Sequence, residues 1–233
     1  MPDIFQDSSR YFHISAFYAL SLPYYHMEHH THSSYEIMYI TSGSCRVFCL
    51  DGTQDTEFPL KSGQFIFIRP DVPHRLEIPD GFPCSILNLE FSLTPEKSPV
   101  ALELLLKKDP GFSRFWNFME ASQGFCSGTD SRSFGYSLKD LLTFLQQNSG
   151  QIQKEEFLFF LLFGRMLSEL AFCARSSRST QGIVYLKKAL RYIDEHYLED
   201  IDIPAISAYA GINKSYLQAL FTEKNGCTIN TYI

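Results

Sequence analysis

The chain has 233 residues, 45% of them apolar and 20% charged, with 21 Phe and 13 Tyr, which is enough for one or two domains and a substantial aromatic core. A formal net charge of −6 excludes a protein coated in positive charge for nucleic acid, so any DNA contact must come from a local surface. The opening MPDIFQDSSR has no apolar signal core, and the densest apolar run, Phe157–Phe163, is too short to span a bilayer, so no membrane partner is expected. Six Cys at positions 45, 49, 84, 126, 173 and 227 form no CxxC pair and read as reduced thiols of a cytoplasmic protein.

In chain order, residues 11–92 read as strands: Tyr11–Ala19, Tyr35–Ile40, Cys45–Leu50, Gln64–Ile68 and Ser85–Phe91. Turn signals separate them at Ser42-Gly43, Asp51-Gly52, Ser62-Gly63, Pro70-Asp71 and Asp80-Gly81. Such close spacing predicts antiparallel sheets closing on themselves. After Thr94-Pro95, apolar residues take helical spacing over Val100–Lys107, Phe134–Gln147 and Lys154–Arg175. In the last of these, Phe157, Leu161, Leu162, Met166, Leu170 and Cys173 are expected to form a stripe, widened by Leu158, Phe159, Phe160 and Phe163. A helix apolar on so many sides suits a dimer interface or a position wedged between domains, and equally an ordinary core helix. Arg175–Gly182, RSSRSTQG, reads as a linker.

The C-terminal segment predicts three helices. Leu186, Leu190, Ile193 and Tyr197 give one apolar face; Asp202 caps a second helix with Pro204 in its first turn, running to Ala210. Gly211 then sits where a left-handed residue is needed, and Asn213 caps a third helix, Lys214–Lys224, with Leu217, Leu220 and Phe221 inward. A short helix, a Gly turn and a capped second helix is the helix-turn-helix layout. Asn213, Lys214, Ser215, Tyr216 and Gln218 are its candidate DNA contacts: Asn and Gln suit base edges, Lys and Ser suit phosphates. A three-helix bundle without DNA binding shares the same pattern.

Residues 190–233, with Gly-Ile-Asn-Lys-Ser-Tyr-Leu at 211–217 and Leu220-Phe221, resemble the first half of the DNA-binding domain of AraC-type regulators. Ser207 stands where that family usually has Ala. The resemblance implies a second helix-turn-helix unit, which is absent before Ile233, so the expectation is a truncated regulator with weak DNA binding by itself. Thr180–Ile233 carries five Lys and Arg against six Asp and Glu, which also predicts weak non-specific affinity.

His30, His32 and Glu36 share parity, so on an extended segment they point to one face. The spacing HxHx₃Ex₆G, ending at Gly43, followed by Gly63, Pro70, Pro73 and His74, resembles the two cupin motifs over residues 25–91. The resemblance implies a barrel in which His30, His32, Glu36 and His74 hold a divalent metal. Pro73 beside His74 and a missing Asn depart from the pattern, so a metal-free polar pocket and a purely structural cluster stand as alternatives. Arg46 is a further candidate ligand contact, as a clamp for carboxylate or phosphate, and Tyr24 and Tyr25 are candidates to stack on a ring.

The expected fold is α+β: a cupin-like antiparallel β-barrel (1–95), a helical connector and dimerisation region (96–175), a linker (176–182) and a partial all-α helix-turn-helix (183–233). The expected function is a cytoplasmic, homodimeric transcription regulator of the AraC type. It senses a small molecule, for which a sugar is one option, and binds an operator in DNA. No catalytic residue is assigned; a metal-dependent cupin enzyme, or a regulator that dimerises without gripping DNA, are the alternatives.

Overall fold

A computed structural model describes residues 9–51, 54–122, 124–197, 201–212 and 214–233. The chain divides into two compact units, Met1–Arg175 and Ser176–Ile233. In the first, eight strands precede the helices: β1 (Tyr11–Leu22), β2 (Tyr25–His26), β3 (Tyr35–Ser42), β4 (Ser44–Asp51), β5 (Gln54–Lys61), β6 (Gln64–Ile68), β7 (His74–Ile78) and β8 (Cys84–Thr94). Helices α1 (Leu102–Lys108) and α2 (Pro110–Ala121), strand β9 (Phe125–Thr129), and helices α3 (Phe134–Gln147) and α4 (Glu156–His196) follow.

All pairings between these strands are antiparallel. One sheet has the order β1-β8-β3-β6-β9 and the other β2-β7-β4-β5. Strand alternation divides the side chains between two cores. Met38, Ile40, Ile66, Ile68 and Ile86 of the first sheet meet Cys45, Val47, Cys49, Leu60, Leu76 and Ile78 of the second. On the opposite face of the first sheet, Tyr35, Ile37, Phe65, Phe67, Leu89 and Phe91 pack with the helices.

The expected helical connector is therefore corrected in two ways. Its residues share a core with the sheet, and β9 extends that sheet by pairing with β6. Helix α2 was also not expected, although Asp109-Pro110 is a cap followed by proline: the Asp109 carboxylate accepts from the N–H groups of Gly111 and Phe112, at 2.8 and 3.0 Å. Its other oxygen takes the Ser168 hydroxyl of α4 at 2.6 Å.

Helix α4 does not break at 176–182, where a linker was expected. Ser, Arg, Thr and Gln are all tolerated in a helix interior, and Gly182 is the one weak former there. In its first half the buried face is Phe159, Phe163, Met166, Leu167, Leu170 and Cys173. The expected stripe had the wrong phase at its start, since Phe157 and Leu161 are exposed. By length and composition Glu156–Ser176 is apolar enough to cross a bilayer, more than the Phe157–Phe163 run alone suggested, and half of it is buried within the fold.

Asp130 begins α3. Its carboxylate accepts from the N–H groups of Arg132, Phe134 and Gly135 at 3.0, 3.2 and 2.9 Å, and from the Tyr39 hydroxyl at 3.2 Å. Burial alone would raise this carboxyl; those donors outweigh it and hold it below its ordinary value. The contribution to stability is therefore present above about pH 4 and lost as pH falls through the lowered folded value. Asp130→Ala is expected to cost about 2 kcal/mol in urea unfolding at neutral pH, with a shallower acid limb. Equal stability–pH profiles for variant and wild type would remove Asp130 from this role.

In the second unit, the end of α4 packs with α5 (Ile203–Ala210), α6 (Lys214–Asn225) and α7 (Ile229–Tyr232). Ala189, Ile193, Ile206, Ala210, Leu217 and Phe221 form the core. Ala189, rather than the exposed Tyr197, completes the inner face of α4. Asp202 accepts from the Ala205 N–H at 2.8 Å. Gly211 is left-handed at φ 76° and ψ 36°, and the Gly211 and Ile212 N–H groups close onto the Ser207 carbonyl. The Ser207 hydroxyl turns back onto the Pro204 carbonyl at 2.9 Å, so its polar atom is satisfied inside the core.

Candidate functional site

Glu36 lies on β3 with the inward parity of Met38 and Ile40, and it is buried. The histidines reach it by another route than one extended segment. His30 forms an isolated bridge with His74: each N–H donates to the other's carbonyl at 3.0 Å. The chain then turns before β3 begins at Tyr35. His32 is anchored in that turn, with Nδ1 3.0 Å from the Ser34 carbonyl and 2.9 Å from its hydroxyl. His74 opens β7, and its Nδ1 is 2.8 Å from the Val72 carbonyl.

These anchors fix the rings. Nδ1–H of His74 and of His32 donates to a backbone carbonyl, so the Nε2 atoms face inward. His32 Nε2 lies 3.2 Å and His74 Nε2 2.8 Å from the same carboxylate oxygen, Glu36 Oε2. The His74 contact is a charge contact out of line for a hydrogen bond, and His30 Nδ1 is buried without a partner. Burial would raise the Glu36 carboxyl, but the hydrogen bond from His32 and the contact from His74 override it and hold it at about 2. The hydrogen bond to Glu36 raises His32 against its burial. His30 is lowered, first by burial and then by neighbouring His74.

The donor set fits a divalent metal. Ligand atoms of His30, His32 and His74 lie within 4.8 Å of one another, and so do those of His32, Glu36 and Glu90. Imidazole held by backbone carbonyls on its far nitrogen is the usual supporting arrangement for a metal ligand. Glu90 was not a sequence candidate. Its signal was its inward parity on β8, two and four residues from Asn88 and Ile86, but that parity shows only once the strand's face is known.

Arg46 and Tyr24 do not join this cluster. Cys45, Val47 and Cys49 take the inward face of β4, which puts Arg46 outward, 2.9 Å from Glu77 Oε2. Tyr24, Tyr25, His26, Arg46 and Glu77 instead line an open outer groove of about 250 Å³. Burial pushes the Cys49 thiol up to about 12, with Glu36 and Asp55 adding to it.

On α6, Lys214, Ser215 and Gln218 are exposed and Tyr216 is half-buried, while Leu217 is buried. Lys214, Ser215 and Gln218 lie on the outward side of the helix near its N-terminus, and Tyr216 lies at the margin of that side. Asn213 lies outside the described residues.

The family described as the AraC-like ligand binding domain matches residues 13–162. Over 206 residues the chain is 24% identical to YbfI of Bacillus subtilis, named as an HTH-type transcriptional regulator, spanning 88% of this chain and 68% of that protein. Among solved structures it is similar to a cupin protein from Bacteroides fragilis, 20% identical with a TM-score of 0.29, over 40% of this chain and 82% of that one. It is also similar to YhaK from Escherichia coli, 13% identical with a TM-score of 0.31, over 38% of this chain and 40% of that one.

Proposed function

We propose, from the premise that this chain belongs to the AraC-like ligand binding family, that it is a regulator whose barrel senses a small molecule and whose helix-turn-helix reads an operator. The observation that carries the reading is the inward cluster of His30, His32, Glu36 and His74, set against an apolar barrel interior on the same chain as a capped α5–Gly211–α6 turn. Glu36 and His74 are buried polar groups, and such groups at the edge of an apolar interior support a bound ligand rather than a structural filler. A bound divalent metal would be held by His30, His32, Glu36 and His74, and would supply a Lewis-acidic point for a ligand oxygen.

Effector binding changes DNA affinity only if the two conformations bind the effector unequally. Exposed Phe157, Leu158 and Leu161 on α4 support a homodimer through that helix. Gln218 is assigned to a base edge and Lys214 to a phosphate. Gln218→Ala is then expected to cost about 1–3 kcal/mol at one base position. Lys214→Ala weakens all sequences alike and reduces the salt slope by about 1. Anisotropy titrations against duplexes selected from a random pool check this, and unchanged specificity in Gln218→Ala removes the assignment. Metal-dependent turnover of a substrate by the purified chain would instead favour an enzyme.

A further inference from the structure

We propose that Cys45 and Cys84 are an oxidation site: a dithiol that hydrogen peroxide closes into a disulfide, stapling one sheet of the barrel to the other. This stands apart from the ligand-sensing reading above.

The turn at Gly43 brings the two thiols together. The β3–β8 ladder sets Ser42 opposite Ser85, and the chain then passes Gly43 so closely that a Cβ there would lie 3.0 Å from the Cys84 Cα. It enters β4, whose first inward residue, Cys45, faces the start of β8. Both cysteines are buried in the apolar core between the sheets, both are free thiols, and their side chains share a hydrogen bond. Cys49, the other inward cysteine of β4, stands opposite Thr56 and His74 instead. The pair therefore joins β4 of the four-stranded sheet to β8 of the five-stranded one, at the far end of β3 from Glu36.

A buried thiol alone is inert, because burial disfavours the thiolate that reacts. This pair differs. The Cys45 S–H donates to Cys84, which lowers Cys84 against its burial, while the same bond and burial push Cys45 up. Cys84 is thus the nucleophile and Cys45 the resolving thiol. Cys84 also stands at an edge: it opens β8, pairs with Leu22 at the end of β1, and follows the exposed Gly81, Phe82 and Pro83. Fraying of two strand ends admits an oxidant close to water in size, whereas a glutathione-sized disulfide has to displace the turn. The Cys84 thiolate attacks one peroxide oxygen, the O–O bond breaks, and the leaving hydroxide takes up the proton that Cys84 released. The Cys45 sulfur then attacks the sulfur of the Cys84 sulfenic acid. An S–S bond forms, the S–O bond breaks, and hydroxide leaves with the Cys45 proton as a second water. The two thiols lose two electrons and one peroxide gains them.

The test uses the full chain, reduced, freed of reductant and metal, and treated with a few equivalents of hydrogen peroxide. Free thiols are then alkylated and the protein is digested without reduction. A peptide linked through Cys45 and Cys84 is expected. The bond closes a loop of about 40 residues, so the midpoint of thermal unfolding is expected to rise by about 5–10 °C, and dithiothreitol to reverse both effects. Oxidised glutathione is expected to link the pair more slowly than peroxide. In Cys45→Ala, with the resolving thiol gone, dimedone is expected to label Cys84 as sulfenic acid and the midpoint not to rise. Linkage through any other pair of cysteines, a link that forms only after unfolding in urea, a linked protein whose midpoint does not rise, or faster linkage by oxidised glutathione would each overturn the proposal. So would dimedone labelling of Cys45 in Cys84→Ala as fast as that of Cys84 in Cys45→Ala.

Discussion

Gly43→Ala is expected to lower the stability of the first unit by more than about 3 kcal/mol and to collapse its soluble yield. Gly43 joins β3 to β4 with φ +76°, and a Cβ built there would stand 1.9 Å from the Pro83 carbonyl oxygen. The obstacle is backbone, so no rotamer change relieves it; the start of β8 at Cys84 must move. The same substitution at Gly211 is a control. Its φ is also +76°, but the space around it is open, so only the left-handed strain of about 1 kcal/mol applies. Urea unfolding of both variants separates close approach from strain. A Gly43→Ala protein as stable as Gly211→Ala would show that the Pro83 contact yields.

The second large effect concerns the phase of α4. Phe163 is fully buried, with its ring centroid 5.2 Å from Phe12, 5.6 Å from Phe91 and 5.4 Å from Phe159. Phe163→Ala should cost about 3–5 kcal/mol, because the aromatic cluster it leaves cannot close over so large a void. Phe157, six residues earlier, is 74% exposed. Phe157→Ser should change unfolding by no more than about 0.5 kcal/mol at protein concentrations where the chain is monomeric. The reverse order of effects would mean that the sequence-derived stripe, with Phe157 at its head, was the true inner face.

That stripe shows where sequence reasoning ran out. Phe157–Phe163 is apolar at every position, so periodicity carries no phase and the partner surface decides it. Where the pattern is cleaner the reading held: α3 spans Phe134–Gln147 as expected, and α5 and Gly211 fall where Asp202, Pro204 and the glycine signal placed them. Strand β5 was missed because Pro59 argues against a strand. It is tolerated because β5 lies at the edge of its sheet, opposite Arg46 of β4. Strand β9, with Gly128 in FCSGT, has little strand propensity of its own and takes its conformation from the β6 ladder.

The candidate site was legible as residue types and less so as geometry. The histidines and Glu36 stand together, but through a bridge to His74 and a turn at His32 rather than one extended face. The two faces of β4 could not be told apart from parity alone, because Cys45 and Arg46 each begin an alternating set; burial of the cysteines settles it. Glu90, Asn88 and Tyr18 belong to no motif and come together only through the register of β1, β8 and β3.

On the proposed function, ligand in the barrel and DNA on α6 are coupled in one chain. The most direct measurement is the affinity of the intact protein for a duplex selected from a random pool, with and without a saturating small molecule that stabilises the barrel. At least a roughly fivefold change in Kd is expected, lost in Glu36→Gln, together with a preference for the selected sequence that Gln218→Ala weakens. A Kd that is the same with and without that molecule, or sequence preference untouched by changes on α6, would contradict it.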